Sequence, residues 1–93
     1  MMRLVPEKQA LRAMLAVAAG KSSASGVVLF TFKKDRSLAL YRQTETLALI
    51  EAGYTQAKQT FPVTASGPCR HAVRTAFKRE FPRSHEVYLI QND

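Results

Sequence analysis

Thr44-Glu45-Thr46-Leu47-Ala48-Leu49-Ile50-Glu51-Ala52-Gly53 can be folded in two ways, and the choice decides the architecture. Read as a helix, Thr44 caps it and Glu45 sits where the helix dipole favours an acid. Leu47, Ile50 and Tyr54 then share one face, and Gly53 ends the segment. Read as a strand, Thr46 to Glu51 is a short apolar run of a kind that periodicity alone does not assign. The helix is the expectation taken here, with the strand as its rival.

Upstream, Val27-Val28-Leu29-Phe30-Thr31-Phe32 is β-branched and aromatic, as strands are. Lys33-Lys34-Asp35-Arg36-Ser37 makes a charged turn into Leu38-Ala39-Leu40-Tyr41, which reads as a β-hairpin. Before it, Pro6 suits a first helical position, Leu11, Met14, Leu15 and Ala18 recur at helical spacing, and Gly20 closes the segment, so a helix is predicted over 6–19. Lys21 to Gly26 is a polar connector. Downstream, Tyr54 to Val63 contains Pro62 and reads as an extended edge strand. Ser66-Gly67-Pro68 opens the clearest helix, with Cys69, Ala72, Val73, Ala76 and Phe77 at helical intervals, stopping near Phe81-Pro82. His85 to Gln91 reads as a C-terminal strand largely buried in the sheet. The predicted fold is a single α+β domain over residues 1–93, in the order α-β-β-α-β-α-β. It has a mainly antiparallel sheet of roughly four strands and helices packed on one face.

Lys and Arg number 14 against 7 Asp and Glu, a net charge of +7 with a pI near 10.1, which matches the electrostatic footprint of nucleic-acid binders. Cys69 is the only cysteine, so no intramolecular disulfide forms, in keeping with a reducing compartment. The apolar stretches Ala13 to Ala19 and Gly26 to Phe32 fall short of the ~20 residues of a membrane span, and the N-terminal residues lack a secretory pattern. A cytoplasmic protein is expected. A chain this small buries only about 60–65% of its unfolded surface, which makes a homodimer a candidate state.

On a helical wheel, Arg70, His71, Arg74, Thr75, Lys78 and Arg79 occupy one half of the last helix, and Cys69, Ala72, Val73, Ala76 and Phe77 the other. Arg70, Arg74 and Lys78 follow the axis for about 12 Å, long enough to meet successive phosphates. The bland alternative is a solvated outer face. Between Ser66 and Arg83, however, Glu80 is the only acid, so local ion pairs cannot neutralise the run. Lys33, Lys34 and Arg36 at the hairpin tip can add phosphate contacts, or can simply guard an edge against aggregation. Phe30, Phe32 and Tyr41 can stack bases only where the sheet face is open; otherwise they belong to the core.

Other chemistries fail on spacing. Gly20-Lys21-Ser22 ends like a phosphate-binding loop, but Leu15 replaces the leading glycine and a helix precedes it where a strand is required. Cys69 lies in the first turn of its helix, where a thiol can be activated, but points inward and away from His71. Cys69, His71 and His85 match no zinc spacing. Glu45 and Glu51, on opposite sides of the expected short helix, read as solvated carboxylates. A helix-turn-helix over Leu47 to Ala57 and the Arg70 to Arg79 segment is spoiled by Pro62 and the polar Lys58-Gln59-Thr60.

The expectation is a small, non-enzymatic, nucleic-acid-binding or regulatory protein, without catalytic residues, cofactor, metal or membrane association. Its cationic helix would contact the phosphate backbone of DNA or RNA. The alternative is an interaction module that binds an acidic protein or associates with itself.

Overall fold

The structure, a computed structural model, describes residues 2–53, 55–82 and 85–92. Its elements are β1 (Arg3–Pro6), α1 (Glu7–Ala18), β2 (Gly26–Phe30), β3 (Ser37–Arg42), β4 (Thr46–Ala52), β5 (Ala57–Pro62), α2 (Ser66–Glu80) and β6 (Glu86–Asn92). The strands form one sheet in the order β1-β6-β2-β3-β4-β5, with every neighbouring pair antiparallel.

Six strands and two helices replace the expected four-stranded sheet and its extra helix. The decisive segment is a strand. Leu47, Leu49 and Glu51 point to the helix-covered side, and Ala48 and Ile50 to the other, in register with Arg42, Leu40, Leu38 and with Tyr41, Ala39 respectively. Placed between β3 and β5, this run satisfies its backbone on both sides, which an isolated three-turn helix with a modest apolar stripe does not match. Thr44 is bypassed as a cap: Gln43 N donates to the Thr46 carbonyl at 2.8 Å, closing a tight β3–β4 turn. Tyr54, which the helix reading placed on the apolar face, and Arg83, the last cation of the predicted run, lie outside the described residues.

The second correction is β1. Four residues with only Val5 buried carry too little alternation to mark a strand. What makes them one is β6, which pairs Leu4 with Tyr88 and Val5 with Val87. Residues 57–62 form the edge strand β5, so no helix-turn-helix exists in this region.

Both helices bury one stripe against the same face of the sheet and against each other. Ala10, Met14, Val17 and Ala18 of α1 and Cys69, Val73, Ala76 and Phe77 of α2 meet Val27, Leu29, Leu38, Leu40, Leu47, Leu49, Val87 and Leu89 in a single core. α1 ends in a paired-bond cap: Gly20, at φ 74°, donates to Val17 O and Lys21 N donates to Ala16 O, a geometry that requires the left-handed residue glycine provides cheaply. No described helix is long and apolar enough to cross a membrane.

Candidate nucleic-acid interface

Because Cys69, Val73, Ala76 and Phe77 turn inward, Arg70, His71, Arg74, Thr75 and Lys78 are left exposed along the outside of α2. Among the described residues the Arg70 side chain bonds its own helix, Nε donating to Ser66 O at 3.4 Å, and Thr75 Oγ1 donates back to His71 O. Two cations from α1 join them. Lys8 and Arg12 are one helical turn apart and exposed, and Lys8 and Lys78 flank an inter-helix groove of about 360 Å³ floored by Leu11, Phe77 and Phe81, with Glu7 as the one acid among its described lining residues. Sequence reasoning passed over Lys8 and Arg12, although their i, i+4 spacing opposite the Met14 stripe was visible.

Two of the predicted cations are engaged by protein groups while remaining partly exposed. Arg79 lays its fork on Glu51, with Nε to Oε2 at 2.7 Å and Nη2 to Oε1 at 2.8 Å. Arg36 Nη1 donates to the Glu80 carbonyl at 3.4 Å, against the last turn of α2. Glu51, expected to be solvated, is 2% exposed, and Glu80 is fully buried. Glu80 Oε2 accepts from Thr55 N. Gly53 completes the arrangement, since a Cβ there would overlap Glu80 Oε1 and press on the Arg36 side chain. The cluster ties α2 to β4 and to the β2–β3 turn. Glu45 lies on the surface before β4.

The Arg79 hydrogen bond holds the Glu51 carboxyl below its ordinary value of 4.5, outweighing the opposing effect of burial, with a hydrogen bond from Glu80 acting in the same direction. A carboxylate whose folded pKa is depressed contributes stability that is present above the unfolded value and is lost as pH falls through the folded one. The melting temperature is therefore expected to drop as pH is lowered from about 5, and Glu51→Gln to reduce that dependence. Thermal melts across the acid range check this; an equally steep fall in the variant contradicts it.

The hairpin tip divides its cations. Lys33 is exposed. Lys34, at φ 61°, sets its Nζ 5.0 Å over the Tyr88 ring, on the side of the sheet opposite the helices. The turn is held by Thr31, whose hydroxyl donates to Asp35 at 2.7 Å, lowering the Asp35 pKa. Phe30 and Tyr41 also lie on that opposite side, half-buried, and Phe32 is 63% exposed. Cys69 is buried, and burial pushes its thiol pKa up, away from the reactive range.

The predicted residues thus separate into three groups. Arg70, His71, Arg74 and Lys78 share the outside of α2, Arg79 and Arg36 serve the buried acidic cluster, and Lys33 and Lys34 sit at the hairpin end. No family model matches the chain, and no curated protein or solved structure matches it either.

Proposed function

We propose that this chain is a non-enzymatic nucleic-acid-binding protein whose helical layer lies along a phosphate backbone. One observation carries the reading. Arg70, Arg74 and Lys78 of α2, with Lys8 and Arg12 of α1, form a cationic surface whose members make no ion pair among the described residues, whereas the Glu51 carboxylate is spent on Arg79. Keeping like charges together costs stability, and an external polyanion relieves that repulsion. Two helices crossing one backbone give positional contacts to phosphate without reading base edges, so affinity without strong sequence preference is the expected behaviour.

Lysine acetylation read by mass spectrometry, with and without bound duplex DNA, tests the assignment. Lys8 and Lys78 are expected to be protected, and Lys58 on the far edge strand to stay reactive. Protection of Lys34 and Lys58 with Lys8 and Lys78 unchanged would refute it.

A second reading rests on the groove itself. Its apolar floor of Leu11, Phe77 and Phe81 between Lys8 and Lys78 suits a segment of an acidic partner protein that inserts an apolar side chain and sets carboxylates on the two lysines. Leu11→Asp separates the two readings, because it spoils the groove and leaves the outer cations of α2 in place.

A further inference from the structure

Both helices cover one side of the sheet, and no described element covers the other. Val28, Phe30, Ile50, Tyr88 and Ile90 point to that uncovered side by register, and Phe32 extends it, 63% exposed and stacked on Tyr88 at 6.1 Å. We propose that this face is the interface of a homodimer, in which two copies pack sheet against sheet with their helical layers outward. The proposal stands independently of the nucleic-acid reading, since it uses the opposite side of the molecule.

Three observations select a second copy as the occupant. The first is charge. A chain of net +7 repels its own copy wherever the cations gather, and they gather on the helical layer. The uncovered face keeps Lys34, Lys58 and Glu86 at its margins, and its central strands set uncharged residues there, apolar ones together with Tyr41 and Tyr88. Charge depletion at the centre marks a protein interface, and the one cation that the described residues set over an aromatic of the face, Lys34 on Tyr88, stands at the hairpin end.

The second is size. The two longest extents of the molecule are 33 and 25 Å, so a face spanning both reaches at most about 800 Å² per copy, close to what a standard stable interface buries on each side. The third is the state of the edges. β5 ends in Pro62 and carries Lys58, and β1 has four residues and ends in Pro6. Short, charged or proline-bearing edges oppose strand addition, which leaves the face as the route to association. Two such faces pack about 10 Å apart with their strands near −30°.

Sedimentation equilibrium of the full chain, from low to high micromolar protein, tests this. The expected mass is twice the 10.4 kDa chain. Phe32→Glu, at a position too exposed for the fold to depend on it, is expected to raise the dimer dissociation constant at least about thirtyfold, with an unchanged far-ultraviolet circular dichroism spectrum. Ile50→Lys, at the centre of the face, is the second variant and is expected to do the same. A wild-type mass of 10.4 kDa throughout the range would overturn the proposal, as would a dimer indifferent to both substitutions. A wild type that stays at 10.4 kDa and loses nucleic-acid binding on Phe32→Glu would overturn it in favour of a base-stacking platform.

Discussion

Leu40→Ala is expected to cost about 3–5 kcal/mol, the largest single effect on stability foreseen for this chain. Leu40 is fully buried on β3. In register it lies between Val27 of β2 and Leu49 of β4, and β3 is the strand that touches both helices. Removing its side chain leaves a void bounded by a six-stranded sheet on one side and two helices on the other. None of these can close over it without breaking register. A domain of this size has a total stability of about 5–14 kcal/mol, so the loss takes a large share. At about 4–8 °C per kcal/mol, the melting temperature falls by roughly 12–40 °C. Chemical and thermal denaturation measure it directly. A cost below about 1 kcal/mol would mean that Leu40 is not in a packed core.

The largest effect on binding is expected from Arg74→Glu combined with Lys78→Glu. The two positions stand one turn apart on the outside of α2 and make no ion pair among the described residues, so reversing them leaves the fold intact. Each phosphate contact contributes about 0.9 to the slope of log affinity against log salt, which near 0.1 M salt is close to a factor of ten in affinity. Losing two contacts weakens binding about 100-fold, and the introduced carboxylates, facing phosphate, weaken it further. Arg79→Glu serves as a contrast. It destroys the Glu51 pair and places a third acid beside Glu51 and Glu80, so its first effect is on folding.

How much of this was legible in the sequence depended on where the deciding interactions lie. α2 was readable because its apolar stripe, its proline-bearing start and its one-sided cations all lie within fifteen residues. The β2–β3 hairpin was readable because its turn is local and charged. The β4 strand was not. Leu47, Leu49 and Glu51 alternate, but Ala48 and Ile50 between them are also apolar, because that second face, though no described element covers it, is not polar. A run apolar on both faces carries no period of two, and the local capping signals at Thr44 and Glu45 then favoured a helix that long-range pairing with β3 and β5 overrides. β1 was illegible for the same reason at shorter length, as its strand character is supplied by a partner more than eighty residues away.

The cations divide in a similar way. Spacing along α2 placed Arg70, Arg74 and Lys78 outside, but the partners of Arg79 and Arg36 come from other elements or from the far end of the helix. Glu51 reaches Arg79 only because residue 51 is on an inward strand position, the very assignment that the helix reading missed. One misread segment therefore led to two errors, a missing strand and a misplaced carboxylate.

The central claim is that the surplus charge on the helical layer engages phosphate. The most direct measurement is a fluorescence anisotropy titration of labelled duplex DNA with the wild-type chain and the Arg74→Glu, Lys78→Glu variant at low and physiological salt. Five contacting cations predict a slope near −4.5 for the wild type, reduced by about 2 in the variant together with the loss of affinity. Binding that is insensitive to salt, or equal in the two proteins while the variant remains folded, would contradict the claim.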